Sequence, residues 1–262
     1  MRLHVRYSDL EGRRAVVAGG SSGIGLGIAK AFLEQGMKVV VHYRSHRRLA
    51  EALARRHPGR AFAVGSDLAA EAGAVALVKE SARLLGGIDQ LVHSAAVWNE
   101  APIGKIGREQ LEAIFRVNVF SAFYLVREAL PWLRRSRRGN VILIGSTAGQ
   151  RGEARHSHYA ATKGAIQSLC MSLAVELAPQ TRVNLLSPGW VRAPMAEAEL
   201  TALGSLIAGA LPNRRVGEVT DCAQAALYLA SEASGHLVGH DLCVSGGALL
   251  VVPRGQIVAH EP

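Results

Sequence analysis

The sequence predicts one α/β domain in which helices cover both faces of a doubly wound, seven-stranded parallel sheet. Three observations predict it. Short apolar segments of strand type alternate with helical segments along most of the chain, a pattern typical of βαβ units. A glycine-rich turn joins the first predicted strand to the first predicted helix. The length of 262 residues suits one such domain with a complete core, without repeats or linkers.

The predicted elements alternate regularly up to the sixth strand. The predicted strands are residues 15–18, 38–42, 61–65, 89–93, 140–144, 182–186 and 241–244. The clearest predicted helices are residues 24–35, 108–133, 157–177 and 220–230. Residues 196–215 interrupt the alternation, and we interpret them as a lid over the substrate. We therefore treat residues 1–262 as one domain, with a cofactor half at about 8–150 and a catalytic and lid half at about 151–252.

The composition favours a soluble, cytoplasmic protein that binds neither nucleic acid nor membrane nor metal. The net charge is +9, yet the arginines form no helical stripe with interleaved aromatic residues, and an anionic cofactor accounts for part of the charge. No apolar stretch approaches the roughly 20 residues of a membrane span. The first residues lack the apolar core of a signal peptide. The three cysteines are isolated and have no metal-ligand spacing.

The segment GGSSGIG, after the first predicted strand, has the features of a dinucleotide-binding turn. It stands between a strand and a helix, which is the context such a turn requires. Its glycines let the backbone approach a pyrophosphate, and the N–H groups at the helix N-terminus bind that anion. The residues predicted to contact the cofactor here are Gly19, Ser21, Ser22, Gly23, Ile24 and Gly25.

A tyrosine, a lysine and a serine form a candidate proton donor. Tyr159 and Lys163 are four residues apart in HSHYAATKGAI, and this spacing places both on one helix face. We expect the ammonium to lower the pKa of the phenol, which is otherwise a weak acid near neutral pH. Ser146, in LIGSTAG, is suited to polarise the carbonyl oxygen that receives the proton. The three residues predict chemistry at a carbonyl, with the dinucleotide as the hydride source.

Together these motifs resemble those of the short-chain dehydrogenase/reductase family, over about residues 8–250. The family's glycine motif is matched by Ala18, Gly19, Gly23 and Gly25, its Asn-Ser-Tyr-Lys set by Asn118, Ser146, Tyr159 and Lys163, and its PG motif by Pro188 and Gly189. The resemblance implies a Rossmann fold and interconversion of a ketone and a secondary alcohol. It also implies that Asn118 interrupts its own helix and holds a water that links Lys163 to solvent. The further cofactor contacts it implies are Asp67, Leu68, Ser94, Ala95, Ala96, Tyr159, Lys163, Pro188, Gly189, Val191 and Ala193.

The residues after the second predicted strand favour NADP(H) over NAD(H). The strand KVVVHYRS has no carboxylate at its tip, where an acidic side chain binds the ribose 2′-hydroxyl and repels a 2′-phosphate. Arg44 and Ser45 follow instead, and an arginine suits a phosphate because it offers paired N–H donors. Ser22 adds a hydroxyl. The alternative is that Arg44, like its neighbours Arg47 and Arg48, is a surface charge at a helix start.

Three places depart from the family's pattern. The family's NNAG segment is here HSAA (residues 93–96), and the threonine before the first glycine is Ala18. In the family these two segments contact each other, and here both sides of that contact have changed. We therefore expect altered hydrogen bonds beside the cofactor. Ala193 replaces a threonine that helps to hold the nicotinamide carboxamide, and we expect looser holding there.

The sequence leaves the substrate open. An apolar lid favours an apolar, aromatic or acyl/polyketide-type ketone, as in members that resemble 3-oxoacyl-carrier-protein reductases. The alternative is oxidation of a sugar or secondary alcohol, because KVVVHYRS resembles the same segment of glucose dehydrogenase-like members. A non-catalytic NADP-sensing protein is a third possibility, against which the complete Asn-Ser-Tyr-Lys set argues. The candidate pocket residues are Val97, Trp98, Gln150, Arg151, Trp190 and Met195.

Two kinds of protein partner are expected. A carrier protein is acidic, and a basic patch precedes the fifth predicted strand, although arginines at a helix C-terminus also serve simply as solvated charges. The patch consists of Arg134, Arg135, Arg137 and Arg138. The resemblance implies a homotetramer or homodimer built on the helices predicted at 108–133 and 157–177. The apolar tail at 246–252 is a candidate for a second interface.

Overall fold

A computed structural model describes residues 5–250 of the chain. The predictions that concern residues 251–262, including the end of the apolar tail, lie outside the described residues. The strands are β1 (Arg14–Ala18), β2 (Lys38–Tyr43), β3 (Ala61–Gly65), β4 (Gln90–His93), β5 (Gly139–Ile144), β6 (Thr181–Pro188), β7 (Val191–Arg192), β8 (Gly217–Glu218) and β9 (Asp241–Val244). Within this range, seven of them form a parallel sheet in the order β3-β2-β1-β4-β5-β6-β9. The predicted fold class is confirmed. The separate β7–β8 pair was not predicted.

The helices connect consecutive strands. They are α1 (Gly23–Glu34), α2 (Arg47–Arg56), α3 (Glu71–Leu85), α4 (Arg108–Phe115), α5 (Ser121–Arg135), α6 (Thr147–Arg151), α7 (Ser157–Leu177), α8 (Glu197–Ala210) and α9 (Val219–Ala230). Short 3-10 turns lie at Ser8–Leu10, Ile103–Lys105, Pro194–Ala196 and Glu232–Ser234. None of the helices within residues 5–250 has the length and apolar character needed to cross a membrane.

The single helix predicted at 108–133 is interrupted. A π-helical turn, Arg116–Phe120, separates α4 from α5 and contains Asn118. Such a turn adds one residue to the helical repeat and commonly marks a functional site. The interruption that the family resemblance implied is therefore present in the structure.

The core consists of two layers, one on each face of the sheet. Helices α1, α2 and α9 pack on one face, and α3, α5 and α7 pack on the other. Successive residues of β2 alternate between them, since Val39 and Val41 join the first layer while Val40 joins the second. A sheet buried on both faces favours apolar side chains on both sides of each strand, which explains the mostly apolar segments that predicted these strands.

The strand order reverses between β1 and β4, and this reversal positions the site. After β1 the chain builds outward through β2 and β3, and then returns to place β4 on the opposite side of β1. The loops at the carboxyl ends of β1 and β4 therefore diverge and leave a crevice. Ligands of open α/β sheets bind in such a crevice.

The predicted lid is mostly the helix α8. Its residues are largely exposed, Leu203 and Leu206 among them. From the segment predicted as a lid, Ala196 lines the crevice, together with the preceding Pro194 and Met195. The lid segment thus lies at the rim of the site.

Candidate active site

A cavity of about 540 Å³ occupies the crevice at the carboxyl ends of the strands. This volume is in the range of small-molecule and cofactor sites. The predicted cofactor residues that line it are Gly19, Ser21, Ser22, Gly23, Ile24, Arg44, Ser45, Asp67, Leu68, Ser94, Ala95, Ala96, Tyr159, Lys163, Pro188, Gly189, Val191 and Ala193. Motifs that are far apart in the sequence therefore converge on one cavity.

The glycine turn between β1 and α1 is closely packed against the loop after β4. Gly19 has φ +77°, and a Cβ there would lie 2.7 Å from the backbone nitrogen of Ala95. A Cβ on Gly25 would lie 2.3 Å from the carbonyl oxygen of Gly19. Gly25 does not line the cavity, so it acts behind the turn, where it permits close packing, and not at the cofactor surface as predicted.

His42, at the end of β2, is a site residue that the sequence analysis missed. Its Nδ1 accepts a hydrogen bond of 3.0 Å from the Gly19 N–H, and its Nε2 donates one of 3.0 Å to the Ser66 carbonyl. Burial lowers the pKa of His42, which agrees with the neutral form that these two bonds require. The imidazole thus connects the ends of β1, β2 and β3 beside the cavity. In the sequence, the position of His42 at the end of a predicted strand was the one sign that it belongs to the site.

The candidate proton-transfer residues meet at the ends of β5 and α7. Ser146 follows β5 and caps α6, where its Oγ accepts a 3.1 Å hydrogen bond from the Ala148 N–H. Tyr159 and Lys163 lie one turn apart on α7, with the lysine Nζ 5.7 Å from the centre of the phenol ring. The lysine Nζ donates a 2.8 Å hydrogen bond to the Ile144 carbonyl.

The electrostatics of this group differ from the expectation. Burial raises the pKa of Tyr159 to about 12, the charge of Glu153 adds to the rise, and the neighbouring Ser146 hydroxyl opposes it. Burial lowers the pKa of Lys163 to about 8. The expectation that Lys163 sets a low pKa for the phenol is wrong here, because desolvation of a nearly inaccessible side chain outweighs the effects of its neighbours.

Asn118 lies behind the cavity wall. The side chain is fully buried, and its Oδ1 accepts a 2.8 Å hydrogen bond from the Val97 N–H. Its Nδ2 donates to the Val97 carbonyl at 3.0 Å and to the Thr162 hydroxyl at 3.1 Å. Asn118 thus connects the loop after β4 to α7 and positions both. Its water-holding role remains a prediction.

The segment HSAA (residues 93–96) contacts the start of the glycine turn through backbone atoms. The Ser94 N–H donates a 2.9 Å hydrogen bond to the Ala18 carbonyl, which needs no side chain from either residue. The His93 side chain is buried and forms a 2.7 Å hydrogen bond with the Ser121 hydroxyl. Burial, together with the charge of Lys163, lowers the pKa of His93 to about 3, so this histidine is neutral.

The substrate end of the cavity has an aromatic wall. The ring of Trp98 stacks on His156 with centroids 4.4 Å apart, and meets Trp190 edge-on at 6.2 Å. Five of the six predicted pocket residues line the cavity: Val97, Trp98, Arg151, Trp190 and Met195. Gln150 does not line it, because its amide donates to the Asp241 carboxylate on β9. Glu153 also lines the cavity and was missed.

At the opposite end, Arg44 is exposed at the cavity and forms no ion pair with any residue in the described range 5–250. Arg47, by contrast, pairs with Glu51 at 2.6 Å. No cluster of metal-ligating residues occurs within the part of the chain that the structure describes. The free guanidinium, the tight glycine turn and the N-terminus of α1 fit a dinucleotide with an additional phosphate.

Comparison with known proteins identifies the family. A family model described as enoyl-(acyl carrier protein) reductase matches residues 18–248. The chain belongs to the short-chain dehydrogenase/reductase family. It is 36% identical to L-fucose dehydrogenase of Bos taurus, with 100% of this chain and 98% of that protein covered.

Two solved structures have the same architecture. A glucose/ribitol dehydrogenase from Brucella melitensis is 30% identical, with a TM-score of 0.89 over 95% of this chain and 100% of that one. A gluconate 5-dehydrogenase from Burkholderia cenocepacia J2315, in complex with NADP and tartrate, is 28% identical, with a TM-score of 0.86 over 94% and 99% of the two chains.

Proposed function

We propose that this protein is an NADP(H)-dependent oxidoreductase that interconverts a ketone and a secondary alcohol. The observation that carries the proposal is the convergence of Ser146, Tyr159 and Lys163 on the cavity that also contains the glycine turn. A glycine turn alone fits many nucleotide-binding proteins, and a tyrosine–lysine pair alone fits many surface helices. Their combination in one cavity supports a proton donor that acts beside a dinucleotide. When bound there, the nicotinamide supplies the hydride.

Each of the three side chains has a separate role. Ser146 donates a hydrogen bond to the substrate oxygen and stabilises the charge that develops on it. Tyr159 delivers the proton to that oxygen in reduction and accepts it in oxidation. Its raised pKa keeps it protonated at neutral pH, which is the form that reduction needs. Lys163 supplies a positive charge one turn away and orients the cofactor ribose.

The preference for NADP(H) is supported by Arg44. The guanidinium stands at the cavity without a carboxylate partner in the described range, and β2 ends in Tyr43 where an acidic residue would favour NAD(H). The related gluconate 5-dehydrogenase contains NADP in its solved structure. An exposed, unpaired arginine is suited to grip a 2′-phosphate through two of its N–H groups.

Oxidation of a sugar or other polyol is the second candidate for the physiological reaction. Two tryptophans and a carboxylate line the substrate end, and this combination suits a hydroxylated substrate better than a long acyl chain. The related proteins include dehydrogenases named for L-fucose and for glucose or ribitol. Reduction of an apolar or acyl-type ketone, which the apolar sequence of residues 196–215 favours, has less support from the structure, because Ala196 is the one residue of that segment that lines the cavity.

Docking of a carrier protein at the basic patch has little support. The patch directly precedes β5, whereas the site lies at the carboxyl end of that strand. At about 3.3 Å per residue, six residues separate the two by roughly 20 Å. Arg138 pairs with Glu232, and Arg135 lies over the ring of Trp132, so both arginines have local structural partners.

Replacement of Tyr159 by phenylalanine tests the proposed function. We expect Tyr159→Phe to lower turnover at least about 10²-fold, since the general acid is lost, while NADPH affinity changes little. Turnover is measured on a panel of ketones, sugars and secondary alcohols, with NADPH and NADH supplied separately. Tyr124→Phe, on α5 away from the cavity, is the matched control. Wild-type turnover in Tyr159→Phe would refute the assignment, and cofactor binding without turnover on any member of the panel would favour a sensor.

A further inference from the structure

Glu153 provides a negative charge inside the substrate part of the cavity. It stands in the loop between α6 and α7, six residues before Tyr159. Its side chain is 21% exposed, and it lines the same cavity as Trp98 and Trp190. A carboxylate that is largely removed from water needs hydrogen-bond donors or a counter-charge. The groups that surround Glu153 therefore decide what it can bind.

The described residues supply few hydrogen-bond donors or positive charges to the Glu153 carboxylate. The Nδ1 of His156 lies 4.0 Å from the Glu153 carboxylate, and this nitrogen also lies 3.2 Å from the Ala154 carbonyl. No side chain in that range donates a hydrogen bond to the Glu153 carboxylate within the usual distance. The carboxylate therefore retains its capacity to accept hydrogen bonds.

Two other arginines, at positions 155 and 192, are engaged elsewhere. Arg155 pairs with Glu100, and Arg192 pairs with Glu218. Arg151 also lines the cavity, but it is exposed at the rim, where water screens its charge. An anionic substrate would therefore meet the Glu153 carboxylate in the partly buried interior, and this repulsion would be screened less than the attraction to Arg151.

We propose that Glu153 is a specificity-determining residue that accepts hydrogen bonds from the hydroxyl groups of a neutral polyol or aldose and disfavours substrates with an anionic group at that position. The inference rests on the proposed function, because it names the substrate class of the same site. Hydroxyl groups supply the donors that the carboxylate lacks. The adjacent tryptophans supply apolar surface for the C–H faces of a sugar ring.

Glu153 also acts on Tyr159 through its charge. The groups that act on the phenol are the Ser146 hydroxyl just before α6, Glu153 in the intervening loop, and Lys163 one turn away on α7, while Arg151 at the end of α6 lines the same cavity. A nearby negative charge disfavours the phenolate, and Glu153 accordingly raises the pKa of Tyr159. Removal of this charge lowers that pKa, so alcohol oxidation, which requires the phenolate, should extend to lower pH.

Calorimetric binding measurements on the NADP⁺-saturated protein test the inference. The probes are neutral aldohexoses, 6-deoxyhexoses and pentitols, compared with the corresponding aldonates, which carry a carboxylate. We expect the wild type to prefer the neutral compounds, and Glu153→Gln to weaken them at least about tenfold, as expected for loss of a charged hydrogen bond. The same variant should bind aldonates more tightly. Glu80→Gln, which removes an exposed carboxylate on α3 that does not line the cavity, should change neither.

The outcomes separate this inference from the proposed function. Equal affinities in the wild type and Glu153→Gln, or no binding of any neutral probe, would overturn the role of Glu153 even if ketones are reduced. Binding that depends on Glu153 without turnover would instead contradict the proposed function. If the protein oxidises alcohols, the pH dependence of that oxidation is compared between the wild type and Glu153→Gln. An unchanged pH dependence would argue against the effect of the Glu153 charge on Tyr159.

Discussion

At the scale of single residues, the site combines two buried ionisable groups whose pKa values are displaced in opposite directions. The pKa of Tyr159 is raised to about 12, and that of Lys163 is lowered to about 8. Desolvation is the first cause in both cases, and it favours the neutral form of each group. Between these values both groups are neutral, so the phenol can still donate its proton after the ammonium charge is lost. Reduction should therefore tolerate mildly alkaline pH.

The cofactor preference is also decided by one residue. We expect Arg44→Ala to weaken NADPH at least about tenfold and NADH little, because only NADPH carries the 2′-phosphate that the guanidinium would bind. Arg48→Ala is the matched control, since Arg48 is exposed on the same surface but does not line the cavity. Fluorescence titration of both cofactors measures the effect. Equal losses for NADPH and NADH would contradict the role of Arg44.

At the scale of elements, α5 and α7 leave apolar side chains in water on the side away from the sheet. Phe123 on α5 is 51% exposed, while Met171 and Val175, one turn apart on α7, are 52% and 84% exposed. Large exposed apolar side chains on two helices that cover the same face of the sheet are typical of an interface. The family resemblance implied an oligomer built on these two helices, and we propose that a second copy of the chain covers them.

A charge placed on this surface tests the proposed interface. Val175→Arg should reduce the molar mass in solution by at least a factor of two, since an isologous contact places a new charge from each copy in the same buried region. Light scattering after size-exclusion chromatography measures the mass. Leu49→Arg, on α2 at the other face of the sheet, should leave it unchanged. An unaltered mass for Val175→Arg would exclude this surface as the interface.

At the scale of the whole molecule, buried neutral histidines make the fold sensitive to acid. The pKa of His93 is lowered to about 3, against about 6.5 in an unfolded chain. The unfolded state then binds the proton more readily, so the contribution of His93 to the free energy of unfolding is complete above pH 6.5 and declines as the pH falls toward 3. Burial lowers the pKa of His42 as well, which adds to the effect.

Urea unfolding between pH 7.5 and pH 4.5 measures this contribution. We expect the free energy of unfolding of the wild type to fall more steeply with decreasing pH than that of His93→Asn, which lacks the titrating group. His236→Asn, at an exposed position, should follow the wild type. Parallel curves for wild type and His93→Asn would show that the histidine titrates normally in the folded protein.

The fold was predictable because its signals repeat over long stretches of chain. Seven short, mostly apolar segments and a glycine turn between strand and helix carry enough information to assign the sheet and the cofactor crevice. Isolated side chains carry much less. Gln150 stands on the five-residue helix α6, where no periodicity shows which way it faces, and it contacts Asp241 instead of the cavity. His42 and Glu153 have no motif around them, so their roles emerged only from contacts between distant segments.

The π-helical turn at Arg116–Phe120 also has a consequence for mutations that change chain length. Each α-helical residue advances the side-chain direction by about 100°, so the extra residue of the turn sets the rotational phase of everything after it. A one-residue deletion there would restore a regular helix and rotate the core face of α5, including Leu125 and Leu133, away from the sheet. Apart from the buried Asn118 and Val119, the segment should therefore accept exchanges of side chain but no change in the number of residues.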